Sequence, residues 1–282
     1  MGSLIGIRRR IKSAKNIAQI TKAMEMVSAS KMKKAQEAAL STRPFTDKLK
    51  EIMAKVGSGS SVKHPLLTTN DSKSIMVVLI STNKGLCGGL NVNLYRGLLD
   101  FVKENVSSKI KIVTVGKKAK WVTPGTSSEL VAKFNDLGEA VTFVETRSVS
   151  GYLMKEFKEG NVGKVFLAYP KFISTLTNEI TFTQLLPLQN EETVSSTDYT
   201  IEPSPSALLE SLLPYQIEMT VYQTILESRA TEHSARMVAM KNASDNARDL
   251  IGSLTLDYNQ ARQSAVTSEL LDVTTARMAL VE

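Results

Sequence analysis

Residues 226–265 read LESRATEHSARMVAMKNASDNARDLIGSLTLDYNQARQSA, a stretch with no proline and a single glycine. It belongs to a longer pattern from Leu212 to Ala265, in which sixteen positions recur at a mean spacing of 3.53 residues, and all but His233 and Ser244 are apolar. This spacing is closer to the 3.5 residues of a left-handed coiled coil than to the 3.6 of a straight helix. Because one narrow apolar seam must be buried against another element, the pattern predicts a long helix with a partner.

The first 56 residues supply a matching helix, which we expect Pro44 to kink or briefly break. Its apolar pattern from Leu4 to Val56 spans 52 residues, against 53 in the C-terminal segment. The two helices are therefore predicted to form a long antiparallel coiled coil, in which the numbers of facing residues sum to about 268. The predicted seam of the first helix comprises Ile7, Ile11, Ala14, Ile17, Ile20, Met24 and Val27.

The net charge of +7 is distributed unevenly. Residues 1–56 carry 13 basic and 4 acidic side chains, whereas residues 203–282 carry 6 basic and 10 acidic ones. Opposite charges on the two helices suggest that part of the charge serves helix pairing and that the basic surplus faces acidic partners. An acid-free, basic start also resembles an organellar transit peptide. The unbroken apolar period past residue 24 favours the start of a mature helix instead.

Beyond Ala265 the seam turns polar, but the helical pattern continues. The C-terminal helix should therefore outrun its partner by about 17 residues, or ~25 Å. A projecting helix with apolar residues on several sides needs a socket in another protein. The predicted socket helix carries Val266, Leu270, Val273 and Met278.

The middle of the chain predicts an α/β domain of Rossmann-like type, mainly parallel. Residues 75–81 indicate a strand buried on both faces, and residues 109–116, 164–170 and 178–186 indicate three more. Helices are predicted at 91–105, 128–138 and 151–159. The predicted domains are residues 1–57 (N-terminal coiled-coil helix), 58–70 (linker), 71–205 (α/β domain) and 206–282 (C-terminal coiled-coil helix).

Composition excludes several classes of protein. A single cysteine, Cys87, rules out an intrachain disulfide, and with two histidines it cannot form a usual Cys/His zinc site. The longest run of Ile, Val, Leu and Met, at residues 75–80, is far shorter than a membrane helix. We expect no cofactor and no metal.

Residues 82–90, TNKGLCGGL, follow the first strand and precede a helix, where doubly wound folds bind phosphate. Neither G-x-x-x-x-G-K-[ST] nor G-x-G-x-x-G is present, so tight backbone packing is the alternative explanation of the glycines. Cys87 is either a nucleophile or, as its lack of a nearby histidine favours, a buried inert thiol. His233 is either a ligand or a buried residue that sets helix register.

Three segments carry a resemblance to a known family. The N-terminal one comprises 11–16, IKSAKN, and 20–32, ITKAMEMVSASKM, and the central one is 81–91, STNKGLCGGLN. The C-terminal one comprises 232–243, EHSARMVAMKNA, and 258–263, YNQARQ. These segments resemble the gamma subunit family of F-type ATP synthases, and the resemblance runs from end to end.

This resemblance implies a non-catalytic rotor shaft. The c ring, driven by protons, would turn the shaft inside a hexamer of alpha and beta subunits, with catalysis in beta and regulation of ATPase activity and proton flow. The implied partners are alpha, beta, epsilon and the c ring, with no nucleic acid and no membrane contact except through the c ring. The implied location is the cytoplasmic face of a bacterial inner membrane, with an organellar matrix as the less favoured alternative.

The resemblance also implies contact residues. Arg262 and Gln263 match a pair that meets a loop of beta, and Met24 lies in a segment that faces an acidic loop of beta. Glu202 and the polar residues beside it are further candidates for a contact with the c ring or epsilon. The end of the chain, with Arg277 and Met278, departs from the small residues usual in the family. By charge, the further candidates for the acidic loop are Lys31, Lys33 and Lys34.

Two other functions fit parts of the sequence. A soluble nucleotide-binding enzyme with a helical oligomerisation arm would use the glycine-rich turn of the α/β domain. A nucleic-acid binder would use the basic first helix, which however has few aromatic residues for base stacking.

Overall fold

The computed structural model describes residues 4–58, 64–122, 128–188 and 204–279. Two compact units are present, and both long helices contribute to each of them. One, the coiled-coil unit, comprises Met1–Val27 and Met237–Glu282, and the other, the sheet unit, comprises Ser28–Arg236. The helices are α1 (Leu4–Ser58), α2 (Leu90–Glu104), α3 (Phe143–Lys158) and α4 (Pro205–Ala279), with a 3₁₀ helix at Lys117–Val122. The strands are β1 (Ile75–Ile80), β2 (Ile110–Val115), β3 (Ser128–Phe134), β4 (Lys164–Phe172) and β5 (Asn178–Leu186).

The five strands form one sheet in the order β3-β2-β1-β4-β5. All pairs are parallel except β4–β5, which is antiparallel. The prediction of a mainly parallel sheet is confirmed, and the antiparallel edge has a simple cause. Only residues 173–177 join β4 to β5, and a parallel connection needs a dozen or more.

The sheet is covered on both faces, as expected from the continuous apolar run of β1, whose six residues are all buried. On one face, Met76 and Val78 pack in a cluster with Leu153 of α3 and Ile217 of α4. On the other, Val77 belongs to a cluster with Leu94 and Leu98 of α2. The first part of α4 therefore forms part of the core of the sheet unit.

Residues 128–138 were predicted to be helical, and this is wrong, because 128–134 form strand β3. Its partner β2 pairs Ile112 with Leu130 and Val113 with Ala132, so Val131 is an extra residue in a bulge. A bulge interrupts the alternation with period two that identifies a strand in a sequence. The helix predicted at 151–159 is α3, which begins earlier at a capping box of Thr142 and Glu145.

Within the coiled-coil unit, the predicted seam of α4 is confirmed as far as Ala261. Met240, Ser244, Ala247 and Leu254 are buried, whereas Ala265 is exposed. The Ser244 hydroxyl donates to the carbonyl of Ala18 over 3.5 Å, so facing residue numbers sum to 262 rather than 268.

The seam of α1 differs from the prediction at three positions. Ile17, Ile20 and Val27 are more than half exposed, whereas Ala14 and Thr21 are buried. Small side chains at the contact, such as that of Ala14, let two helices approach closely. Branched isoleucines in the same contact would hold the helices further apart. Pro44 does not break α1, which continues through it to Ser58.

Charge does not pair the helices among the described residues of this unit. The ion pairs there, Lys22–Glu25 and Arg248–Asp245, each lie within a single helix. The basic residues near the start of α1 are all exposed: Arg8, Arg9, Arg10, Lys12 and Lys15. The basic surplus of α1 is therefore available to a partner. No helix of the described residues has an apolar stretch that would let it cross a membrane.

Candidate functional site

The glycine-rich turn after β1 is fixed by side chains of its own chain. Asn91 donates from its amide to the Thr82 hydroxyl over 2.8 Å, and the same hydroxyl donates to the carbonyl of Lys84 over 2.9 Å. Asn83 donates to the carbonyl of Leu137 over 2.9 Å. Leu86 adopts a left-handed backbone conformation with φ of 62°, and its side chain is 63% exposed. Such a conformation is costly for a non-glycine residue, so its surroundings must hold it.

Arg236 of α4 holds this turn. Its Nε donates to the carbonyl of Gly85 over 3.1 Å, and its Nη2 donates to the carbonyl of Lys84 over 3.0 Å. The same Nη2 lies 2.7 Å from Glu232, which also accepts from Arg229 over 2.8 Å. All three charged side chains are buried. We call Arg229, Glu232 and Arg236 the buried charge triad.

The direction of the hydrogen bonds between Arg236 and the turn helps to decide whether the turn binds a nucleotide. A phosphate site at a strand-to-helix turn offers backbone N–H groups to the anion. Here the turn offers two carbonyl oxygens to a guanidinium instead. The glycine-rich turn is therefore a docking point for α4, which supports the alternative that its glycines serve backbone packing.

The cysteine and the two histidines each have their own local environment. Burial raises the pKa of the Cys87 thiol, which lowers its thiolate content at neutral pH. Burial also lowers the pKa of His233, whose Nδ1 lies 3.4 Å from Nη1 of Arg236. His64 accepts at Nδ1 from the backbone N–H of Leu66 over 3.2 Å. In the described part of the chain, no group of three or more His, Cys, Asp or Glu residues could hold a metal ion.

The cations predicted to face an acidic partner have different surroundings. Lys31 of α1 and Lys84 of the turn both form ion pairs with Glu139 in the loop between β3 and α3. Lys33 lies 4.0 Å from Glu37 one helical turn away, and Lys34 is exposed. Sequence reasoning missed Lys84, Glu139 and Arg236 as members of one cluster. Only the order of strands, which brings the ends of β1 and β3 to the same edge of the sheet, places them together.

The Glu139 carboxyl should make stability depend on pH. Hydrogen bonds from Lys31 and Lys84 lower its pKa from 4.5 to about 2. Because the folded pKa lies below the unfolded one, the contribution is fully present above about pH 4.5 and is lost as the pH falls toward 2. The side chain is 38% exposed, so solvent screening should limit the effect to less than about 1 kcal/mol.

Urea denaturation of the chain and of its Glu139→Gln variant measures this contribution. We expect a difference in unfolding free energy that is constant between pH 6 and 8 and shrinks below pH 4. A difference that grew on acidification would contradict the assignment of the low pKa to Glu139.

The predicted C-terminal contacts lie on an uncovered part of α4. Every described residue from Arg262 to Met278 is exposed, including Gln263. The apolar side chains of the predicted socket helix are 51–75% exposed: Val266, Leu270, Val273 and Met278. Met24 is half-buried in the same unit, and Glu202 lies outside the described residues. A long apolar helix end without cover is typical of a protein that functions inside a larger assembly.

Comparison with known proteins gives the family. The family model described as ATP synthase matches residues 3–280. The ATP synthase gamma chain of Dehalococcoides mccartyi strain BAV1 is 43% identical over 285 residues, with 99% of this chain and 100% of the relative covered. The chain belongs to the ATP synthase gamma family.

Solved structures agree with this gamma-family fold. A chain of the Euglena gracilis mitochondrial ATP synthase, described as OSCP/F1/c-ring, superposes with a TM-score of 0.70 at 22% identity, over 98% of this chain and 94% of that one. A chain of the Tetrahymena thermophila mitochondrial ATP synthase, described as central stalk and c ring, gives a TM-score of 0.61 at 26% identity, over 80% and 99%. The predicted α/β fold with two long terminal helices is confirmed.

Proposed function

We propose that this gamma-family chain is the central rotor shaft of a proton-driven F-type ATP synthase. It transmits rotation of the c ring to the hexamer of alpha and beta subunits and regulates ATPase activity and proton flow. The observation that carries the proposal is the stretch Arg262–Met278, exposed throughout and apolar at many positions, at the end of a paired helix. A surface of this kind is stable in water only when a partner covers it.

Catalysis belongs to the beta subunits, and this chain acts through shape and charge. As the shaft turns, its unequal faces meet the three beta subunits in sequence and change their conformations. The docking of Arg236 on the carbonyls of Lys84 and Gly85 supports a mechanical rather than a nucleotide-binding role for the turn.

The proposed contacts follow from the family resemblance. Arg262 and Gln263 meet a loop of beta, and their exposure on α4 is compatible with this contact. The acidic loop of beta is met by Met24, Lys31, Lys33 and Lys34. Glu202 is proposed to approach the c ring or epsilon on the strength of the family resemblance alone.

The proposed location is the cytoplasmic face of a bacterial inner membrane, held there through the c ring and epsilon. The predicted domain ranges, 1–57, 58–70, 71–205 and 206–282, serve as the working division of the shaft. The hexamer then contacts residues 1–57 and 206–282, and epsilon and the c ring contact residues 71–205.

A pull-down of the full chain, followed by mass spectrometry, tests this function directly. We expect alpha, beta and epsilon subunits to co-purify with it, and ATP synthesis by the reconstituted complex to require it. Recovery without these subunits, or binding of ATP or a dinucleotide by the isolated full chain in calorimetry, would favour the nucleotide-binding enzyme instead.

Charges placed on the socket helix should weaken assembly without weakening the fold. In the variant Leu270→Asp/Val273→Asp, two carboxylates enter a surface that the partner must dehydrate, which costs several kcal/mol. We expect at least a tenfold loss of affinity for the alpha–beta subunits in a sedimentation or surface-binding assay. Both side chains are 61% exposed, so the melting temperature should change by less than about 2 °C.

Val106→Asp is the matched control, because Val106 is an apolar residue of the sheet unit that is 81% exposed. Its affinity for the alpha–beta subunits should stay within twofold of the wild-type value. Equal losses of affinity in the control and in the socket variant would show that added negative charge alone causes the effect. That result would contradict the proposed contact of the socket helix.

A further inference from the structure

The surface around Glu139 has an excess of positive charge. Lys31 reaches Glu139 from α1 and Lys84 reaches it from the glycine-rich turn, and both amino groups remain partly exposed. Glu139 therefore lies in a surface on which lysines of two elements, α1 and the glycine-rich turn, converge.

The two lysines have donors to spare. An ammonium group has three N–H donors, and the structure assigns one carboxylate oxygen of Glu139 to each of Lys31 and Lys84. The side chains of the two lysines are 38% and 67% exposed. A carboxylate from another protein can therefore reach either amino group from the solvent side. That carboxylate would then lie beside the carboxylate of Glu139, and the two negative charges would repel each other.

An apolar side chain stands beside these charges. Leu86 follows Lys84 by two residues, is 63% exposed, and is held outward by a left-handed backbone. The carbonyls just before it, those of Lys84 and Gly85, are the ones that Arg236 holds. A basic surface with a fixed apolar projection fits an acidic segment that also carries apolar residues.

We propose that Glu139 is an internal competitor for this surface. In the free chain it pairs with both Lys31 and Lys84, and an acidic partner segment must displace it or share the lysines with it. This inference rests on the proposed function, because the partner is the acidic loop of beta. Its consequence is that Glu139 keeps the contact weak enough to be made and broken as the shaft turns.

The test measures affinity of the full chain for the purified alpha–beta subunits at several salt concentrations. Five chains are compared: wild type, Glu139→Gln, Glu139→Ala, Lys31→Gln and Glu129→Gln. Glu129 is the matched control, because it is also an exposed acid paired with one lysine, Lys109, at 2.9 Å. Glu139→Ala serves as a second removal of the carboxylate, and unfolding curves confirm that every variant is folded.

We expect Glu139→Gln and Glu139→Ala to bind about three- to tenfold more tightly than wild type in 50 mM salt, with the gain lost near 0.5 M because such contacts are screened. Lys31→Gln should bind more weakly, and Glu129→Gln should stay within twofold. If Lys31→Gln weakens binding but the Glu139 variants do not strengthen it, the competitor is overturned and the proposed function stands. If wild type itself does not bind, both are overturned.

Discussion

Replacement of Arg236 by methionine should destabilise the sheet unit by about 3–5 kcal/mol, the usual cost of breaking a buried ion pair. Methionine keeps the length and apolar stem of the side chain but removes every donor. The carbonyl of Gly85 loses the Arg236 donor, that of Lys84 keeps only the Thr82 hydroxyl, and Glu232 keeps only Arg229. Denaturant unfolding monitored by circular dichroism measures the loss as a shift of the midpoint at constant slope.

Arg248→Met is the control for this experiment. Arg248 also pairs with an acid on its own helix, Asp245 at 3.3 Å, but the pair is exposed. Exposed pairs contribute at most about 1 kcal/mol, so the midpoint of this variant should hardly move. If the two arginine variants proved equally mild, water would be replacing the guanidinium of Arg236, and the turn would not depend on α4.

The same variant has a consequence for function. Without Arg236, no side chain of α4 holds the carbonyls that precede Leu86, so the turn should relax from its left-handed conformation. Limited proteolysis of folded protein should then cut within residues 82–90 faster than in wild type. The Lys84 amino group would lose its fixed position beside Glu139, and the contact proposed for beta would weaken with it.

A feature is easier to predict from the sequence when the residues that determine it lie close together in the chain. The seam of α4 is read from local spacing, because a long helix repeats one geometry from Met240 to Leu254. The seam of α1 is misread at Ile17 and Ile20, since closeness of approach, not hydrophobicity, decides which side of α1 faces α4. β3 is missed because one bulged residue, Val131, interrupts its alternation.

The candidate site is less predictable than the fold. The exposed end of α4 follows from the change of apolar pattern after Ala265, and the structure leaves that end uncovered. The buried charge triad does not follow from any spacing, because Arg236 meets Lys84 across 152 positions of the chain. The prediction for Lys31 rested on its charge alone and had no means of locating its ion-pair partner Glu139. Contacts between distant segments depend on strand order, which a single sequence specifies only weakly.

Replacement of Gly116 by alanine should lower the unfolding free energy by a comparable amount, about 3–5 kcal/mol. Gly116 follows β2 with φ of 96°, a left-handed conformation that costs an alanine about 1–2 kcal/mol. An added Cβ would lie 2.4 Å from the carbonyl oxygen of Ser81 and 2.9 Å from its hydroxyl. Relief of that clash requires the end of β1 to move, because the Ser81 N–H donates to the carbonyl of Val115 over 2.8 Å.

Gly151→Ala separates this strain from the general effect of removing a glycine. Gly151 lies inside α3, where an added Cβ meets no atom within 4 Å. Both substitutions restrict the unfolded chain equally, so the difference between the two unfolding free energies reports native-state strain alone. Gly151→Ala should be neutral or stabilising by up to about 1 kcal/mol. Equal stabilities of the two variants would mean that the backbone at Ser81 and Gly116 moves apart without cost, which would contradict the predicted strain.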